Sequence, residues 1–96
     1  HPEFSFYSMK GASLVSSKKD CEGIMERRRL LMGSFGFDVA AEVAFQAAGS
    51  RVRQDDILDS LAALWTCWRL ARHECVFFPR EPFPIDSCGR RMVIAG

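Results

Sequence analysis

The stretch from Gln54 to Arg72 constrains this chain most. Its residues, Gln54-Asp55-Asp56-Ile57-Leu58-Asp59-Ser60-Leu61-Ala62-Ala63-Leu64-Trp65-Thr66-Cys67-Trp68-Arg69-Leu70-Ala71-Arg72, carry the period of one long amphipathic helix. At about 100° per residue, Ile57, Leu58, Leu61, Leu64, Trp65 and Trp68 share a broad apolar arc. Asp55 and Asp59 fall together outside that arc, on a face continued by Thr66 and His73, and Asp56 lies on the other flank. One side of this helix must therefore be packed. Its first turn brings three carboxylates to the edge of the packed side.

Acidic residues in a first helical turn interact favourably with the helix dipole, by roughly 0.3–1 kcal/mol each, and Asp is a good N-cap. That accounts for one or two of the aspartates. The third must be reconciled with repulsion, which a cation or a basic partner nearby relieves. A hard divalent ion is one such cation, because it binds through one or two carboxylates, water and substrate phosphate. The arginines of Arg51-Val52-Arg53, just upstream, are another.

The remaining bounds are broad. A chain of 96 residues is long enough for one small domain, and 48% hydrophobic content with eight phenylalanines argues against disorder. A net charge of +1 gives no bulk electrostatic pull toward nucleic acid, and the basic residues are clustered instead. There is no apolar run long enough to span a bilayer and no signal-peptide pattern, so no membrane partner is expected. Cys21, Cys67, Cys75 and Cys88 show no CxxC pairing and the only histidines are His1 and His73, which argues against structural zinc. Reduced thiols in a cytoplasmic protein fit this usage. No P-loop, GxGxxG or Ser-His-Asp arrangement is present. The chain opens on His1 rather than Met, which reads as a fragment or a protein whose upstream part is not represented.

In chain order, His1 to Phe4 reads as an extended lead, followed by a helical turn around Ser5–Lys10 that Gly11 breaks. Phe4, Phe6 and Met9 are the packing candidates there, with Glu3 and Ser5 pointing elsewhere. The spacing predicts a helix over 16–33, capped by Ser17 or Asp20, with Ile24, Leu30, Leu31 and Met25 or Met32 as its stripe. Glu26-Arg27-Arg28-Arg29 reads as a solvated basic face, and Lys18 and Lys19 as awkward charges at a helix start that suit a phosphate. Residues 33–37 form a turn, and a helix over 39–48 follows. After Arg72, Val76-Phe77-Phe78 is a short apolar segment. Pro79, Pro82 and Pro84 exclude a helix or a central strand. Asp86-Ser87-Cys88-Gly89 is a turn. Arg90 to Ala95 reads as a last strand whose partner is an N-terminal piece, another chain or a missing segment.

Taken together, His1-Pro2-Glu3-Phe4-Ser5-Phe6, Ser17-Lys18-Lys19, Gly23, Arg27, Leu30-Leu31, Asp55-Asp56-Ile57-Leu58-Asp59-Ser60-Leu61-Ala62, Asp86, Gly89-Arg90-Arg91 and Ile94 occur in one order. That series resembles the family numbered 429 among the domains of unknown function, described as predicted RNase H-like nucleases. The resemblance covers nearly the whole chain and corresponds to the C-terminal part of the family's domain, without its opening strands. It implies the tail of an α/β RNase H-like fold and a divalent-metal phosphodiesterase site, in which paired Mg2+ or Mn2+ ions activate water and stabilise the leaving oxygen. The resemblance makes Asp56 or Asp59 the last-helix ligand, with Asp55 beside them. Glu3 is the second contributor, and Lys18, Lys19 and Arg27 are the phosphate-holding residues. The family's first-strand aspartate has no counterpart here.

The expected fold is therefore mainly α, three helices with a Pro-rich loop and a short C-terminal strand. Two functions compete. One is a metal-dependent nuclease acting on nucleic acid, incomplete in this chain. The other is a non-catalytic helical module that self-associates through the apolar face around Trp65 and Trp68.

Overall fold

The computed structural model describes residues 1–35 and 52–96. Among these residues there are three helices, α1 (Pro2–Lys10), α2 (Cys21–Phe35) and α3 (Gln54–Ala71), followed by two short strands, β1 (Phe77–Phe78) and β2 (Ile94–Ala95). The predicted helix over 39–48 lies outside the described residues.

The N-terminal segment is helical from Pro2, not extended. Proline suits the first helical position, where its fixed φ is already helical and its missing N–H would have had no partner. Gly11 ends the helix in the left-handed region (φ 74°), and its N–H reaches the Tyr7 carbonyl at 2.8 Å. Phe6 is fully buried, and so is Ser5, which the sequence pattern had directed outward.

α2 begins later than the sequence pattern suggests. Ser17 to Asp20 form a tight turn (Asp20 N–H to the Ser17 carbonyl, 3.1 Å), and the Asp20 carbonyl then accepts the Ile24 N–H at 2.9 Å. The helix continues through Gly33 to Phe35, where a turn was expected. Leu31 enters the core and Ile24, Leu30 and Phe35 pack around it, whereas Met25 and Met32 stay exposed.

α3 matches its predicted span closely, and both α1 and α2 pack on it. The core is Phe6, Leu31, Ile57, Leu58, Leu61 and Ala62. Its inward face is nevertheless rotated from the expected arc. Asp55 and Ala62 face inward, while Leu64 and Trp68 are 57% and 48% exposed. The cause is α1. Ala62 has no bulk to hold α1 off, and the Ser5 hydroxyl lies 2.6 Å from that of Thr66. This contact turns the polar flank of α3 toward α1.

α3 stops in a Schellman motif. The Glu74 N–H bonds the Arg69 carbonyl (2.9 Å) and the His73 N–H bonds that of Leu70 (3.1 Å), with His73 at φ 57°. The chain then runs into β1, which pairs antiparallel with β2, Phe77 opposite Ala95 and Phe78 opposite Ile94. The last strand thus finds its partner in the apolar segment upstream of the prolines. The 86–89 turn forms as expected, with Asp86 Oδ1 accepting the N–H groups of Cys88 and Arg90, both at 2.9 Å.

The left-handed region disfavours any residue with a Cβ by about 1–2 kcal/mol. His73→Gly is therefore expected to stabilise the fold by about 1 kcal/mol, read as a higher urea midpoint at unchanged m-value. A lower midpoint would show that the His73 side chain contributes more than its strain costs.

Candidate functional site

Three segments meet at one corner: Glu3 from α1, the loop carrying Lys18, and Asp55 and Asp59 from the first turns of α3. Arg27 on α2 holds the first two together. Its guanidinium, 3% exposed, grips Glu3 with both ends of its fork, Nε to Oε1 at 3.2 Å and Nη2 to Oε2 at 2.8 Å. Nη1 donates to the carbonyls of Ser16 (3.2 Å) and Gly23 (3.0 Å). Those bonds engage most of the donors a guanidinium has, which is the condition for burying such a charge. The plane also lies over Phe6, 5.6 Å from its ring centre. Arg27 is therefore an interior residue and not part of a solvated basic face.

The loop before α2 is pinned onto that helix. Its backbone crosses Gly23 so closely that a Cβ there would run into the Ser17 carbonyl. Glu26 adds a second clamp, bonded by Lys10 and by the backbone of Ser16 and Val15. These bonds, Lys10 first, hold the Glu26 carboxyl below its usual range.

The clamped loop delivers Lys18 to α3, where Nζ donates to Asp59 Oδ2 at 2.8 Å. The Lys18 ammonium titrates above its ordinary value, first because of that hydrogen bond and the charge of Asp59, then because Asp55 and Glu3 lie within electrostatic reach. Asp59 Oδ1 is buried without a hydrogen-bond partner. Asp55, buried at the helix start, is bonded by the Arg53 guanidinium (Nε to Oδ1 3.1 Å, Nη2 to Oδ2 3.3 Å). The upstream basic linker thus neutralises an aspartate, at least through Arg53; Arg51 lies outside the described residues. A cleft of about 500 Å3 opens beside the corner, lined by Glu3, Tyr7, Ser13, Ser17, Lys18 and Arg27 among others.

The structure thus brings Glu3, Lys18, Arg27, Asp55 and Asp59 together. Asp56 sits exposed on the other flank of α3, where its carbonyl accepts the Ser60 hydroxyl (2.8 Å). Lys19 is exposed beside a separate hollow lined by Cys21, Arg28 and Gln54. Glu26 and Ser16 are partners that the sequence pattern did not single out. The one available signal was a glycine four residues before an arginine on a helix, the spacing at which an arginine can reach over to a crossing backbone.

Among the described residues no three His, Cys, Asp or Glu side chains are grouped so as to hold a metal ion. Glu3, Asp55 and Asp59 each face a basic side chain instead.

The chain belongs to the family described as a protein of unknown function, DUF429, whose model matches residues 1–83. That span includes every residue of the corner. Neither the curated proteins nor the solved structures compared with the chain gave a match. No helix among the described residues is long and apolar enough to cross a membrane.

Gly23→Ala should push the loop off α2 and lower stability by about 1–3 kcal/mol, as overpacking does. Urea denaturation measures it. An unchanged midpoint would mean that the loop is not held against Gly23.

Proposed function

We propose that this corner is the phosphate-facing side of a nuclease-like site acting on nucleic-acid phosphodiesters, and that the helices are the C-terminal portion of an α/β RNase H-like domain. The observation that carries the reading is the meeting of Lys18 with Asp59, 41 residues apart in sequence, at the mouth of a cleft. Lys18 lines the cleft with its side chain 38% open, so it can turn to a phosphate oxygen. Asp59 keeps one buried oxygen unbonded, a place for a proton or a water hydrogen. Arg27 acts through Glu3 and the loop, as a positioning residue. Magnesium or manganese is the cofactor proposed with this reading and would supply the water-activating charge.

Binding of labelled single-stranded DNA and RNA oligonucleotides, with cleavage followed in magnesium or manganese buffer, tests this. Lys18→Ala is expected to lower the slope of log K against log salt by about 1, and Asp59→Asn to abolish any cleavage while leaving binding. No measurable binding, or a slope indifferent to Lys18→Ala, would overturn the reading.

A second reading rests on the outward turn of Leu64 and Trp68. Trp65 is nearly buried, but Trp68 shows half its surface, with the Arg72 guanidinium 5.0 Å from its ring centre. We infer that this face pairs two copies of the chain. Sedimentation should give a dimer that Trp68→Asp converts to monomer; a monomer at high concentration in the parent protein rules the pairing out.

A further inference from the structure

We propose, on the nucleic-acid reading above, that the ring of Tyr7 is a stacking platform for an unpaired nucleobase, so that the cleft beside the corner takes one nucleotide of a single strand, its base on Tyr7 and its phosphate on Lys18. The sequence of α1 supplies the ring. Phe6 goes fully into the core, and Tyr7, about 100° further round the helix, keeps 45% of its surface open. Exposed apolar residues scattered singly are ordinary on a protein surface. Tyr7 is set apart because it lines the same cleft as Lys18, together with the hydroxyl-bearing Ser13 and Ser17.

The ring is held in place before any ligand arrives. It lies nearly parallel to Phe4, at 8° with ring centres 6.1 Å apart, within the range of offset stacking. Phe4 in turn meets Phe78 of β1, also at 6.1 Å and tilted by 48°. Tyr7 thus ends a row of three rings that joins α1 to the strand pair. A side chain already ordered in this way gives up little freedom when a ligand settles on it. Glu3, one turn earlier on α1, faces the same cleft with both carboxylate oxygens bonded by Arg27. Its charge repels a phosphate and leaves Lys18 as the place for one. The Lys18 ammonium has three N–H donors and gives one to Asp59, so it can receive a phosphate oxygen without releasing the aspartate.

Size and charge point to a single strand. A cleft of about 500 Å3 falls in the range of sites for small organic ligands, roughly 300–1,000 Å3. That is room for a nucleotide unit and not for a length of duplex. Lys18 and Arg27 both line it, but Arg27 is committed to Glu3 and to the carbonyls of Ser16 and Gly23. A duplex is gripped by several cations along its phosphates, and its base faces are covered by neighbours in the stack. An unpaired base presents a free face to an aromatic ring. Every base has such a face, so stacking of this kind tolerates any sequence.

The test is fluorescence anisotropy with three labelled DNA probes of equal length: a single strand, a strand of abasic sugar-phosphates, and the first strand annealed to its complement. The parent protein is expected to bind the single strand about tenfold more tightly than the abasic one, and the duplex more weakly than the single strand. Tyr7→Leu, which keeps an apolar side chain against Phe4, should abolish the preference for bases and leave the salt slope unchanged. Tyr7→Phe should keep the preference. Equal binding of the single and abasic strands by the parent protein overturns the proposal without recourse to any variant. So does a preference that survives Tyr7→Leu, or a duplex bound as tightly as the single strand. If all strands bind alike and Lys18→Ala still lowers the salt slope, stacking falls and the phosphate reading stands; if no strand binds, both fall.

Discussion

A buried guanidinium must recover in hydrogen bonds and opposite charge what it loses in water, and the arrangement around Arg27 follows from that demand. Glu3 supplies the charge and fixes the turn of α1 over α2. The Ser16 and Gly23 carbonyls supply the remaining acceptors, one from the loop and one from the helix itself. Satisfying Arg27 thereby draws α1, the loop and α2 into one unit. The bare Cα of Gly23 lets the loop backbone lie directly on the helix. Lys18 reaches Asp59 because the loop is held there.

The corner is an alternation of charge built from separate parts of the chain. Lys18, Arg27 and Arg53 oppose Asp59, Glu3 and Asp55. Such pairing offsets the repulsion among the carboxylates, and it leaves Lys18 beside an open cleft. The partial freedom of the Lys18–Asp59 pair contrasts with the tight hold on Arg27. A pair that can open suits ligand exchange, and a pair that cannot suits architecture.

The sequence disclosed the features that local chemistry decides. The span of α3, the left-handed stop at Gly11 and the Asp86 turn each depend on residues within a few positions of one another. The aspartate-rich start of α3 and the lysine of the loop were visible as candidates for the same reason. The N-terminal helix was missed over its first turn because Pro2 was read for its effect on His1 and not for its fitness at a helix start. The partner of the last strand was missed because three prolines between the two segments obscured a hairpin with a long connection.

What the sequence alone determined is the span of α3, the stop of α1 at Gly11, the Asp86 turn and which side chains carry charge, since period, caps and turns are short-range. Only the tertiary structure decided which face of α3 is inside. The contact between Ser5 and Thr66 spans 61 residues, and it turns Asp55 and Asp59 inward while leaving Leu64 and Trp68 outside. The same holds for Arg27, which a helical pattern places among surface arginines. Its burial is set by Glu3, 24 residues away, and by a loop that can approach only where the helix has a glycine. Hydrophobic periodicity ranks residues by their own polarity; the packed fold ranks them by whether a partner meets them.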